Sequence, residues 1–434
     1  MSNIYFFIVK NIFSNYTNII GDSMKIRDIN AREILDSRGN PTVEVEMTLE
    51  NGISTISSVP SGASTGSKEA LELRDNDMNR YMGKGVLKAV ENVNTTIKNA
   101  LVGMELDQVN IDKTLITLDG TKDKSNLGAN AILAVSLCSL KCLAKLQDKE
   151  LFEYITNNKV TLPIPMVNIL NGGVHADNDL DIQEFMIVPI LKSEAKRVEA
   201  AAEIFHTLKK LLKQKGFSTA VGDEGGFAPN ISKTTEALDF IMDAINDANY
   251  TPGKDVLIAL DVAASEIYDR KKDLYKLDNN YYNSNDLIKY YVELVQNYPI
   301  ISIEDPFEED DLESLAVLTR LIGDKVMIVG DDYFCTNSSL LQKGINAGAG
   351  NAILLKANQI GTISEMTKTI MLAKKNNYKT IISHRSGETE DTFIADLAVG
   401  FGIPFIKTGS VSRGERVAKY NRLTKIEDLL TKND

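Results

Sequence analysis

Six short apolar runs in the later part of the chain each stop at a polar side chain, and this rhythm constrains the fold more than any other feature. Val256-Leu-Ile-Ala-Leu stops at Asp261, Ile300-Ile-Ser-Ile at Glu304 and Val326-Met-Ile-Val-Gly at Asp331. Ala352-Ile-Leu-Leu stops at Lys356, Thr380-Ile-Ile-Ser at His384 and Phe405-Ile at Lys407. Successive stops are 43, 27, 25, 28 and 23 residues apart. Parallel strands need a crossover of a dozen or more residues, usually a helix, and each interval is long enough for one. Strands covered on both faces read as continuous apolar runs rather than alternating ones. The pattern therefore predicts a parallel (β/α)8-like barrel over residues 159–434. Its polar stops converge on the C-terminal rim, where barrel enzymes place their chemistry.

A chain of 434 residues exceeds one compact core, so a second domain is expected. From Lys25 to Glu50 polar and apolar residues alternate, Asn51-Gly52 makes a turn, and Ile53 to Val59 returns as a strand. Lys68 to Lys149 follows a helical period with few breakers. Residues 24–158 are thus expected to form an α+β domain, a small antiparallel sheet followed by helices. Residues 1–23 look unrelated to the rest of the chain. They are read as a disordered or dispensable extension, with Met24 as the native start.

Lysine and arginine number 48 against 60 aspartate and glutamate, a formal charge of −12 and a pI near 5.0. Sequence-independent nucleic-acid binding needs a basic surface and is not expected. A small anionic substrate in a local cationic pocket remains open. Cys138, Cys142 and Cys335 make no disulfide framework; Cys138 and Cys142 fall four apart in the apolar stretch Ala129 to Leu146, a buried helix, which fits a reducing, cytoplasmic setting. No apolar run is expected to reach the length of a transmembrane segment, about 18 residues. Ile4 to Val9 is too short for a signal-peptide core and lacks a preceding basic residue.

The stops themselves suggest chemistry. Asp261, Glu304 and Asp331 would offer carboxylates from three successive strand ends, a donor set suited to a hard divalent ion. Taken singly, each acid reads equally well as the cap of the next helix. Lys356, placed beside a metal and other cations, would lose proton affinity and serve as a general base, or pair with the neighbouring acids. His384-Arg385-Ser386 has the composition of an anion clamp, and Lys407 adds a cation. Glu184, in Gln183-Glu184-Phe185-Met186, and Glu224, in Gly222-Asp223-Glu224-Gly225-Gly226, form a candidate carboxylate pair able to share a proton. Glu224 reads alternatively as a turn residue. His175 and His384 fall in polar motifs, whereas His206 sits in an amphipathic helix and reads as packing. The loop Ser61-Gly62-Ala63-Ser64-Thr65-Gly66 lets backbone approach a ligand and is a candidate lid, with Ser64 able to reach a metal or phosphate.

Taken together, the segments resemble the enolase family. The matching motifs are Asp36-Ser-Arg-Gly-Asn-Pro-Thr42, Ser61 to Gly66, Asn171-Gly-Gly-Val-His-Ala176 and Gln183-Glu-Phe-Met186. They continue with Val221-Gly-Asp-Glu-Gly-Gly226, Glu304-Asp-Pro306, Gly330-Asp-Asp332 and Lys356-Ala-Asn-Gln-Ile-Gly361. The last are Ser383-His-Arg-Ser-Gly-Glu388 and Lys407-Thr-Gly409, so the similarity runs from about Met24 to the C-terminus.

The resemblance implies an enolase-type barrel with an N-terminal α+β capping domain. It implies a hydro-lyase of glycolysis and gluconeogenesis that interconverts 2-phosphoglycerate and phosphoenolpyruvate with two Mg²⁺ per site. Lys356 would remove the C2 proton, and Glu224, assisted by Glu184, would promote loss of the C3 hydroxyl. Asp261, Glu304 and Asp331 would hold one ion, and Ser64 with the substrate phosphate the second. Arg385 and Ser386 would bind phosphate, Lys407 would neutralise the carboxylate, and His175 would reach in as loops close. Gln183 and His384 complete the implied substrate contacts. A homodimer is implied, with octamers among bacterial-type members. A cytoplasmic location is implied, with surface or secreted display and a scaffold role as secondary settings.

Some positions depart from the family pattern. Ala357 stands where Pro or Val is usual and is expected to loosen the strand end and lower turnover. Leu312 replaces a common Trp, and Asn76 a frequent Gly. Two rival readings are a related enzyme acting on a sugar acid, which would not need the phosphate clamp, and a non-catalytic scaffold, which the loss of a site residue would favour.

Overall fold

The computed structural model describes residues 24–62, 66–156 and 160–433. The expected extension at 1–23, the boundary at 158 and the residue Ser64 lie outside the described residues. The first sheet is antiparallel, in the order β1 (Ile26–Leu35), β2 (Pro41–Leu49) and β3 (Ser54–Ser58). Its turns come from local side-chain bonds. Asp36 Oδ1 accepts from the amides of Arg38 and Asn40 at 2.8 and 2.9 Å, and Asn51 Oδ1 accepts from Ile53 N at 3.0 Å. Helices α1 (Gln108–Asp119) and α2 (Ala129–Leu146) follow, and α2 lies across β2 and β3.

The expected helical stretch from Lys68 begins only at Leu87. Before it the chain spends its backbone bonds on other segments: Ala70 N donates to Gln359 O at 2.8 Å and Leu71 N to Asp123 O at 2.7 Å. Asn76, Tyr81 and Met82 also have positive φ, of 58°, 48° and 52°, which no α-helix accommodates. The left-handed backbone at Asn76 is the geometry that glycine adopts without strain. Helix α2 corrects another expectation. Its 18 residues, with mean hydropathy 1.5, are long and apolar enough to cross a membrane. It is packed inside the protein instead, and 83% of it is buried. Cys138 and Cys142 lie buried on it, and Cys335 is buried near the barrel rim. His206 is exposed on its helix rather than packed in the core.

Eight strands close the barrel: β4 (Ile164–Asn171), β5 (Glu184–Pro189), β6 (Val256–Asp261), then, after a small antiparallel sheet β7 (Tyr268–Asp269), β8 (Leu274–Leu277) and β9 (Asn280–Tyr282), the strands β10 (Ile300–Glu304) to β14. The last four are β11 (Met327–Gly330), β12 (Ala352–Leu355), β13 (Lys379–Ser383) and β14 (Phe405–Lys407). The barrel is not wholly parallel as predicted, because β5 runs antiparallel to both β4 and β6. Reversal has a consequence: the start of β5, not its end, lies on the rim, and Glu184 pairs in register with Asp261.

The connecting helices are α3 (Glu194–Gln214), α4 (Thr234–Asp247), α5 (Ser284–Asn297), α6 (Leu312–Ile322), α7 (Ser338–Ala347), α8 (Ile363–Lys375), α9 (Phe393–Gly400) and α10 (Gly414–Asn433). Ser193, Asn283, Asp311, Asn337 and Thr362 each cap a helix by accepting from an amide of its first turn. Met166, Met186, Val188, Ala259, Met327, Val329, Ala352, Leu354 and Ile381 fill the barrel, so the rim stands on a packed floor.

Candidate active site

The strand ends carry the polar stops to one place. Glu304 stands in register with Asp261, and Lys407 with Ser383. Asp331, Lys356 and His384 each follow the last residue of their strand. Lys407 Nζ sits among three carboxylates, 2.8 Å from Asp261 Oδ2, 3.0 Å from both oxygens of Glu304 and 3.1 Å from Glu184 Oε1. Lys356 forms an ion pair with Asp331. Gln183 Nε2 donates to Asp261 Oδ2 at 3.3 Å.

Across the rim, Asn168 Nδ2 donates to Glu184 Oε2 at 3.0 Å and to Glu224 Oε2 at 3.2 Å. One amide thus holds the two acids together. His175 Nδ1 lies 3.7 and 3.8 Å from the same pair, and its Nε2 meets Ser386 Oγ at 3.3 Å. His175 therefore already reaches the site in this structure. Gly225, at φ 88°, allows the Glu224 loop to approach Ser412 so closely that a Cβ would lie 2.5 Å from its carbonyl oxygen.

The N-terminal part reaches the same rim. Ser61 and Gly387 exchange backbone bonds of 2.7 and 2.9 Å. Arg385, almost fully buried, bonds Glu69 through Nη1 at 2.9 Å and through Nη2 at 3.3 Å, and bonds Asn358 Oδ1 at 2.9 Å. Every sequence-predicted site residue within the described residues is brought to this rim.

Burial and crowding set the charge states. Burial, then the neighbouring Glu224, pushes the Glu184 carboxyl well above its usual range. Burial acts against the Glu224 carboxylate as well, but His384 and His175 hold it well below the usual range. The two environments therefore differ in sign: Glu184 favours its protonated form and Glu224 its anion. Lys356 differs from expectation. Burial disfavours its ammonium, yet Asp331 keeps its proton affinity above that of a free lysine. Its ion-pair partner Asp331 outweighs the opposing influence of Arg385 and Lys407 and favours the ammonium.

Can these residues hold a metal ion? The ligand atoms of Asp305, Asp331 and Asp332 lie within 4.8 Å of one another, as do those of His175, Glu184 and Glu224. Glu304 is pushed well above its usual range, first by burial and then by Asp261 and Asp331, and Asp332 is pushed up to about 7 by burial and Asp331. Buried carboxylates under such mutual repulsion are a donor set suited to a hard divalent cation. Asp261, Glu304 and Asp331 stand at the ends of adjacent strands and pair with Lys407 and Lys356, but of the three only Asp331 belongs to a group whose ligand atoms converge within 4.8 Å.

Several supporting residues lie off the strand ends and had no place in the rhythm of polar stops. Asp305 sits at φ 43° and accepts from the amides of Asp331 and Asp332, each at 2.9 Å, which fixes the Asp331 turn. Gln359 Nε2 donates to Asp331 Oδ1 at 2.8 Å. Asn168 lies hidden inside β4, a run outside that rhythm. Its signal is a polar side chain flanked on both sides by apolar residues within the strand. Glu69 and Arg416 have no sequence signal, since charged residues at irregular spacing normally face water.

Two family models match the chain. The model described as the enolase N-terminal domain matches residues 26–155, and that described as the enolase C-terminal TIM barrel domain matches residues 159–434. The chain belongs to the enolase family and is a lyase of the hydro-lyase type, in a metal-dependent family that dehydrates 2-phosphoglycerate.

Proposed function

We propose that this member of the enolase family catalyses the reversible, Mg²⁺-dependent dehydration of 2-phosphoglycerate to phosphoenolpyruvate, with Lys356 as base and the Glu184–Glu224 pair as proton donor. The observation that carries the assignment of roles is that Asn168 holds Glu184 and Glu224 together, with Glu184 favouring its protonated form and Glu224 its anion, since the loss of a hydroxyl needs a proton donor beside it. Lys356 Nζ takes the C2 proton once its amine is neutral. Glu184 passes its proton toward the C3 hydroxyl through the position of Glu224, so the group leaves as water. Arg385 grips the phosphate with its fork of donors, and Ser386 adds a hydroxyl. Lys407 offsets the substrate carboxylate, and Gln183, His175 and His384 orient their acidic neighbours. Two Mg²⁺ ions, held by Asp261, Glu304 and Asp331 and by Ser64 with the substrate phosphate, would supply the positive charge that makes a second negative charge beside a carboxylate accessible.

We place the enzyme in the cytoplasm as a homodimer or octamer, and a secondary surface or scaffold role belongs to the same proposal. The test is the growth of phosphoenolpyruvate absorbance from 2-phosphoglycerate and Mg²⁺, with Lys356→Ala as control. Signal that needs Mg²⁺ and disappears in the variant supports the reading. Silence from well-folded wild-type protein overturns it.

A further inference from the structure

Arg416 is the largest fully buried side chain among the described residues, at 0% exposure. It stands in the first turn of α10 and directs its two terminal nitrogens at the rim. Nη1 lies 2.6 Å from His384 Nδ1 and 2.6 Å from Arg385 O. Nη2 lies 2.6 Å from Ser386 O and 3.2 Å from Asp223 O. Its Nε is 3.3 Å from Glu415 Oε1, without a well-aligned hydrogen bond. A guanidinium has donors only. His384 Nδ1 must therefore accept, which leaves the imidazole proton on Nε2. That nitrogen lies 3.2 Å from Glu224 Oε2, although the N–H is not aimed squarely at the oxygen.

We propose that Arg416 is a positioning residue that locks His384 in its Nε2–H tautomer, so that the imidazole presents a donor rather than a lone pair to the Glu224 carboxylate. In the other tautomer a lone pair would face a carboxylate, and a donor would face the guanidinium. Both contacts would be repulsive. The carbonyl bonds do a second task. Asp223 precedes Glu224, and Arg385 and Ser386 form the anion clamp, so one side chain ties both loops to the same helix. The consequence for turnover rests on the proposed role of the Glu184–Glu224 pair; the tautomer does not.

The chain has three histidines, so nitrogen-15 histidine labelling gives three ring systems, with exposed His206 as the internal reference. His384 is assigned by its loss in His384→Gln. Wild-type protein near pH 7 is expected to show a pyridine-like Nδ1 and a pyrrole-like, proton-bearing Nε2 at His384. An Nδ1–H form or an imidazolium overturns the proposal, whether or not any variant folds. Arg416→Lys keeps a cation for the carbonyls but not the fork, and is expected to mix the tautomers and lower kcat roughly 10–100-fold, with a smaller change in KM. On a His384→Gln background, whose amide places an N–H at the Nε2 position with no tautomer to choose, the same change should cost little more. A kcat loss with the tautomer unchanged would make Arg416 merely structural and overturn the proposal. Absence of lyase activity in the wild type would defeat the functional reading alone, because the spectrum still reports the tautomer.

Discussion

The guanidinium of Arg385 at the barrel rim is held by the carboxylate of Glu69 from the N-terminal part, at 2.9 and 3.3 Å. Glu69 thereby occupies donors that the proposed mechanism assigns to a phosphate. Its Oε1 also accepts from Gly66 N at 3.1 Å, so the same side chain braces the stem of the lid loop.

Glu69→Gln removes the anion and leaves a buried guanidinium short of its partner. Stability should fall by about 3 kcal/mol. Inorganic phosphate should then stabilise the variant more than the wild type, because it replaces the missing charge. Thermal melts with and without phosphate check this; equal phosphate shifts in the two proteins would refute it.

The Lys407 ammonium is shared among the carboxyl groups of Glu184, Asp261 and Glu304. Lys407→Met should therefore destabilise the protein in chelator by roughly 3 kcal/mol, through uncompensated buried charge. Added Mg²⁺ should recover more stability in the variant than in the wild type, while activity stays low. A melt insensitive to the metal in both proteins would count against Asp261 and Glu304 as ligands.

Ala357 opens the single helical turn Ala357–Ile360, and Lys356 before it has φ −124° and ψ 111°. That extended geometry is the one a residue preceding proline prefers, and the first helical position has no need of its amide. Ala357→Pro should stabilise the protein by about 0.4–1 kcal/mol by restricting the unfolded chain. By holding the strand end it should also raise turnover. Denaturant midpoints test the first part and steady-state rates the second; unchanged turnover would show that alanine does not loosen the base.

Glu194, fully buried at the start of α3, is pushed up to about 7 by burial against the opposing pull of Arg197, with Glu427 adding to the rise. Because its native pKa exceeds the unfolded value, the native state holds the proton more tightly. Its contribution is fully present below about pH 4.5 and is lost as pH rises through about 7. Glu194→Gln should abolish that loss and make the protein more stable near pH 8, by up to about 3 kcal/mol. Stability curves at pH 5 and pH 8 decide it: parallel pH dependence in the two proteins would mean that Glu194 is not the titrating group.

Much of the site was legible because barrel strands have a simple grammar. A buried apolar run followed by a polar residue marks a strand end, and Asp261, Glu304, Asp331, Lys356, His384 and Lys407 were all found that way. Strand direction was not legible. The run Phe185-Met-Ile-Val after Glu184 is continuously apolar and carries no sign of direction, and only its pairing with β4 and β6 shows that it is reversed. Periodicity likewise missed the irregular stretch before Leu87, because its backbone bonds to other segments and its positive φ values at Asn76, Tyr81 and Met82 leave no trace in the spacing of apolar residues.

The sequence by itself determined the chemistry on offer: which acids, amines and amides stand at strand ends, and that a small sheet and a barrel must carry them. Those are local facts, set by residue type and by the period of burial. Only the tertiary structure decided which groups face one another. It joined Glu184 to Glu224 through Asn168, set Glu69 on Arg385, and brought Arg416 from the last helix to His384. Charge state and tautomer depend on neighbours within a few ångströms, and those neighbours are up to hundreds of residues away along the chain.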